Sequence, residues 1–415
     1  MTARRFALAL GAIGLAALAV RVVYTLIADP VVPEVSDASA YHLLGRNLAD
    51  GRGYIRPFDL TILDRVRPTA EYPPLFPGLL GVASFLGIGS VDGQRLLTCV
   101  VGAGGVALVG LVGRRVGGPT VGLVAAGIAA VHPLLFQNDA VLMAESLFVP
   151  LVAAVLLLAL RAGEQPTLWR LAALGATIGL ATLTRGEALL LVPLLALPFV
   201  LRRRPLAAAL VVAAALAVVL PWTVRNTVRF GEVVPVSNNV GTALAGANCD
   251  ETYGGDRIGL WVYDCFGGFD QAAADEAEAA AESRRKGLDF ALDNPERWPA
   301  VAAARCARTW GLFRPTQLAF VASFEGRSYR WEMLGTRLHW VLLPLAVAGA
   351  VVLRRRRDLV WPLLATWGMV SVTTVATYGN QRFRAGAEPA IAVLAAVALV
   401  ALLGRIRHRP YAPGP

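Results

Sequence analysis

The sequence predicts an all-α polytopic membrane protein with about ten transmembrane helices and further helices on its outer face. Three observations predict it. Of 415 residues, 56% are hydrophobic and only 16% charged, with a mean hydropathy of +0.57, more apolar surface than a soluble fold hides. The apolar residues gather in runs near the ~20 residues that cross a ~30 Å hydrocarbon core. Short arginine clusters separate those runs, as they do in cytoplasmic loops. The net charge of +10 therefore reports topology, and nucleic acid is not expected as a partner.

Taken in order, the expected spans are 6–28, 94–113, 119–137, 141–160, 168–184, 187–201, 206–222, 337–353, 359–377 and 387–404. The first follows Arg4 and Arg5. It is too long for a signal-peptide core, and no small-residue cleavage site follows it, so it is expected to stay as a signal anchor. The arginine groups are Arg4/Arg5, Arg114/Arg115, Arg161/Arg170, Arg202–Arg204, Arg354–Arg357 and Arg405/Arg407/Arg409. With ten spans, all of them fall on the N-terminal side. This places both termini in the cytoplasm and the chain in the plasma (inner) membrane of a cell. Residues 74–89, "PLFPGLLGVASFLGIG", are apolar but short. A full crossing there would put Arg202–Arg204 and Arg354–Arg357 opposite Arg4 and Arg5, so the segment is expected as an interfacial or re-entrant helix on the outer face.

The chain then divides into N-terminal helices (1–224) with a first outer loop (29–93), an extracytoplasmic segment (225–336), and C-terminal helices with a cytoplasmic tail (337–415). The outer segment holds glycine turns at Gly254, Gly255, Gly267 and Gly268, a helix-favouring run from Gln271 to Leu292, and an amphipathic stretch, "RWPAVAAARCARTWGLF". Cys249 and Cys265 flank its glycine-rich loop in an oxidising compartment, where a disulfide is expected. His42, His132, His339 and His408 are scattered, and no cysteine–histidine set has the spacing of a zinc site.

The same topology places Asp37, Glu71, Asp139, Glu145, Arg185, Glu187, Arg225, Arg382, Arg384 and Glu388 at the outer ends of spans or in outer loops. Ionisable groups at such depths are costly and face a cavity or a partner. Carboxylates and arginines at an outer boundary suit a substrate with an apolar tail and an anionic head. Each also has a simpler reading. Asp37 follows Ser36 at a helix start, where capping by itself accounts for an acid; Tyr41, one turn on, shares its face with Leu44 and Leu48. Glu145 pairs with an arginine, Asp139 is solvated or a cap, and Glu187 begins a helix. Arg225, Arg382 and Arg384 anchor span ends, and "EYPPLFP" makes a rigid turn.

In order along the chain, "SDASAYHLLGRNLADGRGY", "EYPPLFPGLL", "HPLLFQNDAVLMAESLFVPL", "LATLTRGEALLLVPLL", "LPWTVRNTVRFGEVVPVSNNVG" and "GNQRFRAGAEPAIAVLAA" resemble motifs of the GT-C superfamily of polyprenyl-phosphate-dependent membrane glycosyltransferases. The pattern is closest to the glycosyltransferase family 39 type, which includes protein O-mannosyltransferases and the aminoarabinose transferase of lipid A. It departs from relatives in having Glu71 and Tyr72, where they often carry a lysine, before the Pro-Pro pair, and Glu145 where an aspartate is common.

The resemblance implies inverting transfer of a sugar from a polyprenyl phosphate to a hydroxyl of a protein, glycan or glycolipid acceptor of the cell envelope. Asp37 is then the expected base, because the attacking hydroxyl must lose a proton. Glu145 is the second acid, orienting the sugar or sharing a divalent cation with Asp37; no cofactor is otherwise expected. Arg185, Arg225, Arg382 and Arg384 are the expected phosphate ligands, with Tyr41, Glu71, Tyr72 and Asn226 completing the substrate site. A transporter or lipid-linked sugar flippase is the competing reading; it requires charges near the bilayer midplane and two matching halves, and no half-repeat is visible.

Sidedness is open to direct measurement. Single cysteines introduced within residues 36–54 are expected to react with a membrane-impermeant maleimide added outside intact cells; protection until the membrane is opened contradicts the topology.

Overall fold

The computed structural model describes residues 1–28, 31–266, 275–356 and 359–407. Gly267, Gly268, the start of the run at Gln271, Arg357, His408 and Arg409 lie outside the described residues. The only strand-like pairing among those described is one bridge, Ile55 with Pro68. The rest is helix: α1 (Ala3–Ile27), α2 (Asp37–Ala49), α3 (Pro57–Leu63), α4 (Leu75–Phe85), α5 (Val91–Ala130), α6 (Pro133–Ala140), α7 (Glu145–Glu164), α8 (Leu168–Thr182), α9 (Leu191–Leu201) and α10 (Pro205–Phe230) come first. They are followed by α11 (Asn239–Ala247), α12 (Asp250–Tyr253), α13 (Glu276–Asp293), α14 (Trp298–Thr309), α15 (Pro315–Ser323), α16 (Tyr329–Arg355), α17 (Trp361–Ala376) and α18 (Glu388–Arg407).

Each expected span coincides with one of these helices. By length and composition, α1, α5, α7, α10 and α16 are long and apolar enough to cross a membrane, and α8, α9 and α18 are shorter apolar helices. The protein is thus a multi-pass, all-helical membrane protein. One boundary differs from the sequence reading. α5 is two helical stretches that meet at a break at Gly118, where φ is +85° just before Pro119, between the expected 94–113 and 119–137 spans; only glycine takes that angle freely. The expected 119–137 span stops at Ala130, because His132 precedes Pro133 and is driven out of the helical region, with ψ at 114°.

The helices pack around one apolar core drawn from α5, α7, α8, α9, α10, α16, α17 and α18, with α1 against α5. One end gathers the arginine clusters: Arg114 lies over Phe6, 4.5 Å from the ring centroid, and Arg115 pairs with Glu164. The interfacial segment forms α4, which packs with α2 in a smaller core made by Tyr41, Leu44, Tyr72, Phe76 and Leu80. The amphipathic stretch forms α14, and Cys249 and Cys265 are joined as a disulfide with Cα atoms 6.1 Å apart.

Where α16 meets α18, Gly349 lies directly against the Leu394 carbonyl, in the place a Cβ would occupy. Gly349→Val is therefore expected to cost about 1–3 kcal/mol, read as a lower unfolding temperature in detergent with helical content unchanged.

Candidate functional site

The site stands at the end of the bundle away from the arginine clusters, and its side chains come from six segments of the chain. Asp37 is the first residue of α2. Ser36 supplies the helix cap, accepting the Ser39 N–H at 3.3 Å while Ser39 Oγ accepts the Ser36 N–H at 3.0 Å. Capping is thus provided without Asp37, whose carboxylate turns to other partners. Tyr72 Oη donates to Asp37 Oδ1 at 3.0 Å, and Arg382 Nη1 donates to Oδ2 at 2.7 Å. Tyr41 packs edge-on against Tyr72 and Phe76, and Tyr54 Oη donates to the Tyr72 carbonyl at 2.9 Å, which fixes the phenol.

Glu145 begins α7 immediately after a turn whose Leu142 has φ +59°. The Met143 N–H bonds back to the Asn138 carbonyl at 3.1 Å, closing α6 with a left-handed residue where glycine is usual. A leucine there costs roughly 1–2 kcal/mol, offset by full burial of Val141, Leu142 and Met143. The turn delivers Glu145 into the protein with its side chain 0% exposed. Its Oε1 accepts from two guanidinium groups, Arg185 Nη1 at 2.6 Å and Arg382 Nε at 2.8 Å.

Arg185 lies in the turn between α8 and α9 and also holds Glu187 at 2.5 Å through Nε. Arg382 Nη1 donates to Glu325 Oε1 at 2.7 Å as well as to Asp37. Burial opposes the charge on Arg382, but Glu145, Glu325 and Asp37 together hold it charged, well above its ordinary value. Burial likewise opposes the charge on Glu325, and Arg382 and Arg327 outweigh it, lowering the carboxyl below its usual range. Both arginines of the cluster use only Nε and Nη1 in these bonds, so the Nη2 edge of each is uncommitted among the described residues.

Asp37, Tyr72, Glu145, Arg185 and Arg382 thus come together, with Tyr41 packed behind them. Glu145 is enclosed, and its carboxylate binds two arginines. Arg225 donates to the Thr69 and Tyr54 carbonyls at 2.7 and 3.1 Å and lies over Trp222, bracing the first outer loop. Asn226 is fully buried and donates to the Val234 carbonyl at 3.3 Å. Arg384 is fully buried on Glu388 at 2.7 Å. Arg225, Asn226 and Arg384 are therefore bound to other partners.

Asp139, expected in solvent or at a cap, is buried on Arg21 from the middle of α1 at 2.7 Å. Glu71 does not enter the cluster and lies near Glu276 and Arg56; burial, then Glu276, pushes its carboxyl up to about 7. Glu325 and Arg327 were missed. An acid and an arginine flanking Gly326 just before a long apolar helix were the available signal.

The divalent cation left open between Asp37 and Glu145 has no fitting donor set. The Arg382 guanidinium occupies the bridge, and no group of three or more His, Cys, Asp or Glu among the described residues is arranged to hold a metal ion.

Residues 71–224 match the family described as dolichyl-phosphate-mannose-protein mannosyltransferase. That segment contains Tyr72, Glu145 and Arg185 but not Asp37, Glu325 or Arg382. No curated protein matches the sequence. Among solved structures, the archaeal oligosaccharyltransferase AglB from Archaeoglobus fulgidus, in complex with an inhibitory peptide and a dolichol-phosphate, aligns at TM-score 0.51 and 16% identity over 100% of this chain and 53% of its own. The same organism's oligosaccharyltransferase tethered to an acceptor peptide aligns at 0.55 and 14% identity, over 98% and 50%. ArnT from Cupriavidus metallidurans bound to undecaprenyl phosphate gives 0.43 and 18%, over 96% and 78%. The chain is similar to the GT-C membrane glycosyltransferases, by family match over 71–224 and by fold along its whole length. It spans about half the length of the oligosaccharyltransferase chains it matches.

Glu71 generates a pH prediction. Its folded value lies above the unfolded one, so the folded protein binds the extra proton between the two. Its contribution to stability is complete below the ordinary carboxylate value and is lost as pH rises through about 7. Unfolding temperatures of Glu71→Gln and the parent should therefore diverge in favour of the variant between about pH 5 and about pH 8; parallel curves contradict the assignment.

Proposed function

We propose that this chain is an inverting glycosyltransferase that moves a sugar from a polyprenyl phosphate to an acceptor hydroxyl at the extracytoplasmic membrane surface. The observation that carries the reading is the cluster itself: a partly exposed carboxylate, Asp37, 2.7 Å from an arginine that shares buried Glu145 with a second arginine. The family match over 71–224 and the fold shared with a protein solved with dolichol-phosphate support a lipid-phosphate donor.

The chemistry follows from the atoms. The acceptor O–H gives its proton to Asp37 as its oxygen attacks the anomeric carbon. The bond from that carbon to the phosphate oxygen breaks, and its electron pair leaves with the polyprenyl phosphate. Tyr72 and Arg382 fix the two oxygens of Asp37, so the base is aimed before substrate arrives. The uncommitted Nη2 edges of Arg382 and Arg185 offer donors to the departing phosphate, where charge builds up. Glu145 keeps two like charges side by side.

Asp37→Asn is expected to bind the lipid donor while losing at least ~100-fold in transfer rate, the scale for one essential preorganised group. The measurement is single-turnover transfer in proteoliposomes with a defined lipid-linked sugar and acceptor. Retention of most of the parental rate would remove Asp37 as the base.

A further inference from the structure

Arg384 lies two residues beyond Arg382 on the same short 3-10 turn, Gln381–Gly386. With three residues per turn, positions two apart point about 120° from one another. One arginine therefore faces the cluster while the other enters the protein. Arg384 Nε donates to Glu388 Oε1 at 2.7 Å and its Nη1 to the Thr309 carbonyl at 3.2 Å. Glu388 Oε2 lies 3.4 Å from His132 Nε2, and Oε1 lies 3.8 Å from His339 Nδ1. One carboxylate thus gathers the start of α6, the middle of α16, the start of α18 and the turn.

The rest of the turn is tied to the same neighbours. Thr309 Oγ1 accepts the Asn380 N–H at 3.1 Å, and Asn380 Oδ1 accepts the Arg382 N–H at 3.0 Å. Thr336 Oγ1 donates to Gln381 Oε1 at 3.1 Å. Both flanks of Arg382 are anchored from below.

A buried ion pair is a poor source of stability, since desolvation offsets most of its attraction and apolar residues of like volume do as well or better. What the pair supplies is direction, because a guanidinium fork donates to its partners in one plane.

We propose that Arg384, through Glu388 and the Thr309 carbonyl, is a positioning residue that aims Arg382 at the phosphate of the lipid donor. This rests on the reading of Arg382 as a phosphate ligand. It predicts that the outward arginine loses its phosphate when the inward pair is removed, although neither member of that pair touches substrate.

The test uses the full chain in detergent and a polyprenyl phosphate of defined length, without sugar, as the probe. Its affinity is measured by native mass spectrometry alongside the unfolding temperature. Arg384→Met by itself leaves Glu388 buried without its partner and is expected to fold poorly. The informative variant is therefore the double Arg384→Met/Glu388→Met, compared with Arg382→Met. The double variant is expected to fold and to bind the probe at least about ten-fold more weakly, the loss of one charge-assisted contact, with Arg382→Met weakened at least as much. A role confined to stability lowers the unfolding temperature and leaves affinity per folded molecule unchanged. A folded double variant with parental affinity, while Arg382→Met loses binding, overturns the inference and leaves the glycosyltransfer reading standing. Parental affinity in Arg382→Met overturns the phosphate reading itself.

Discussion

The arrangement of the site depends on one carboxylate oxygen, Glu145 Oε1, shared by the guanidinium groups of Arg185 and Arg382. Two positive charges this close repel strongly where water is scarce, and neither helix end tolerates both without a negative centre between them. Glu145 has no exposure to solvent, so its charge is little screened. Asp37 and Glu325 complete the compensation from the open side through a single Arg382 nitrogen. The result is a cluster whose charges are compensated among its own side chains.

Arginine has a second use in this protein, as a clamp on backbone. Arg305 holds the Val375 and Ala247 carbonyls at 3.0 and 2.6 Å, Arg308 holds those of Ile258 and Asp256 at 2.6 and 2.9 Å, and Arg225 those of Thr69 and Tyr54. The loops here carry carbonyls that no helix satisfies, and a guanidinium with five donors satisfies several at once. These clamps tie α11, the loop after α12, α14 and α17 together and fix the first outer loop against α10. The two uses answer to the same chemistry. Arg225, Arg305 and Arg308 hold backbone carbonyls and brace the fold, whereas Arg185 and Arg382 hold carboxylates.

That distinction explains which site residues were legible in the sequence. The positions of Asp37, Glu145, Arg185 and Arg382 followed from outer-end placement of charges, and each is in the cluster. Arg225 and Arg384 satisfied the same criterion and are elsewhere, because sidedness says at which height a side chain stands and not which way it points. Arg384 differs from Arg382 by two positions in one turn, and that rotation alone separates them. Arg21 was hidden inside an apolar run, where the partner that makes it tolerable, Asp139, is over a hundred residues away in the chain. Glu325 and Arg327 lay in a loop with no periodicity to mark them.

By itself the sequence determined the helices, their apolar faces and the end of the bundle at which each charge stands. These follow from run length, hydropathy and arginine spacing, which are local quantities. The kink at Gly118 and the stop before Pro133 were local too, written in residues that restrict or free the backbone. Only the tertiary structure decided the partners: that Ser36 caps α2 and so releases Asp37, that Glu145 faces two arginines, and that Glu388 collects four elements. Partner choice depends on packing between segments far apart in the chain, and in a low-dielectric interior an ionised group takes the nearest opposite charge that packing brings to it.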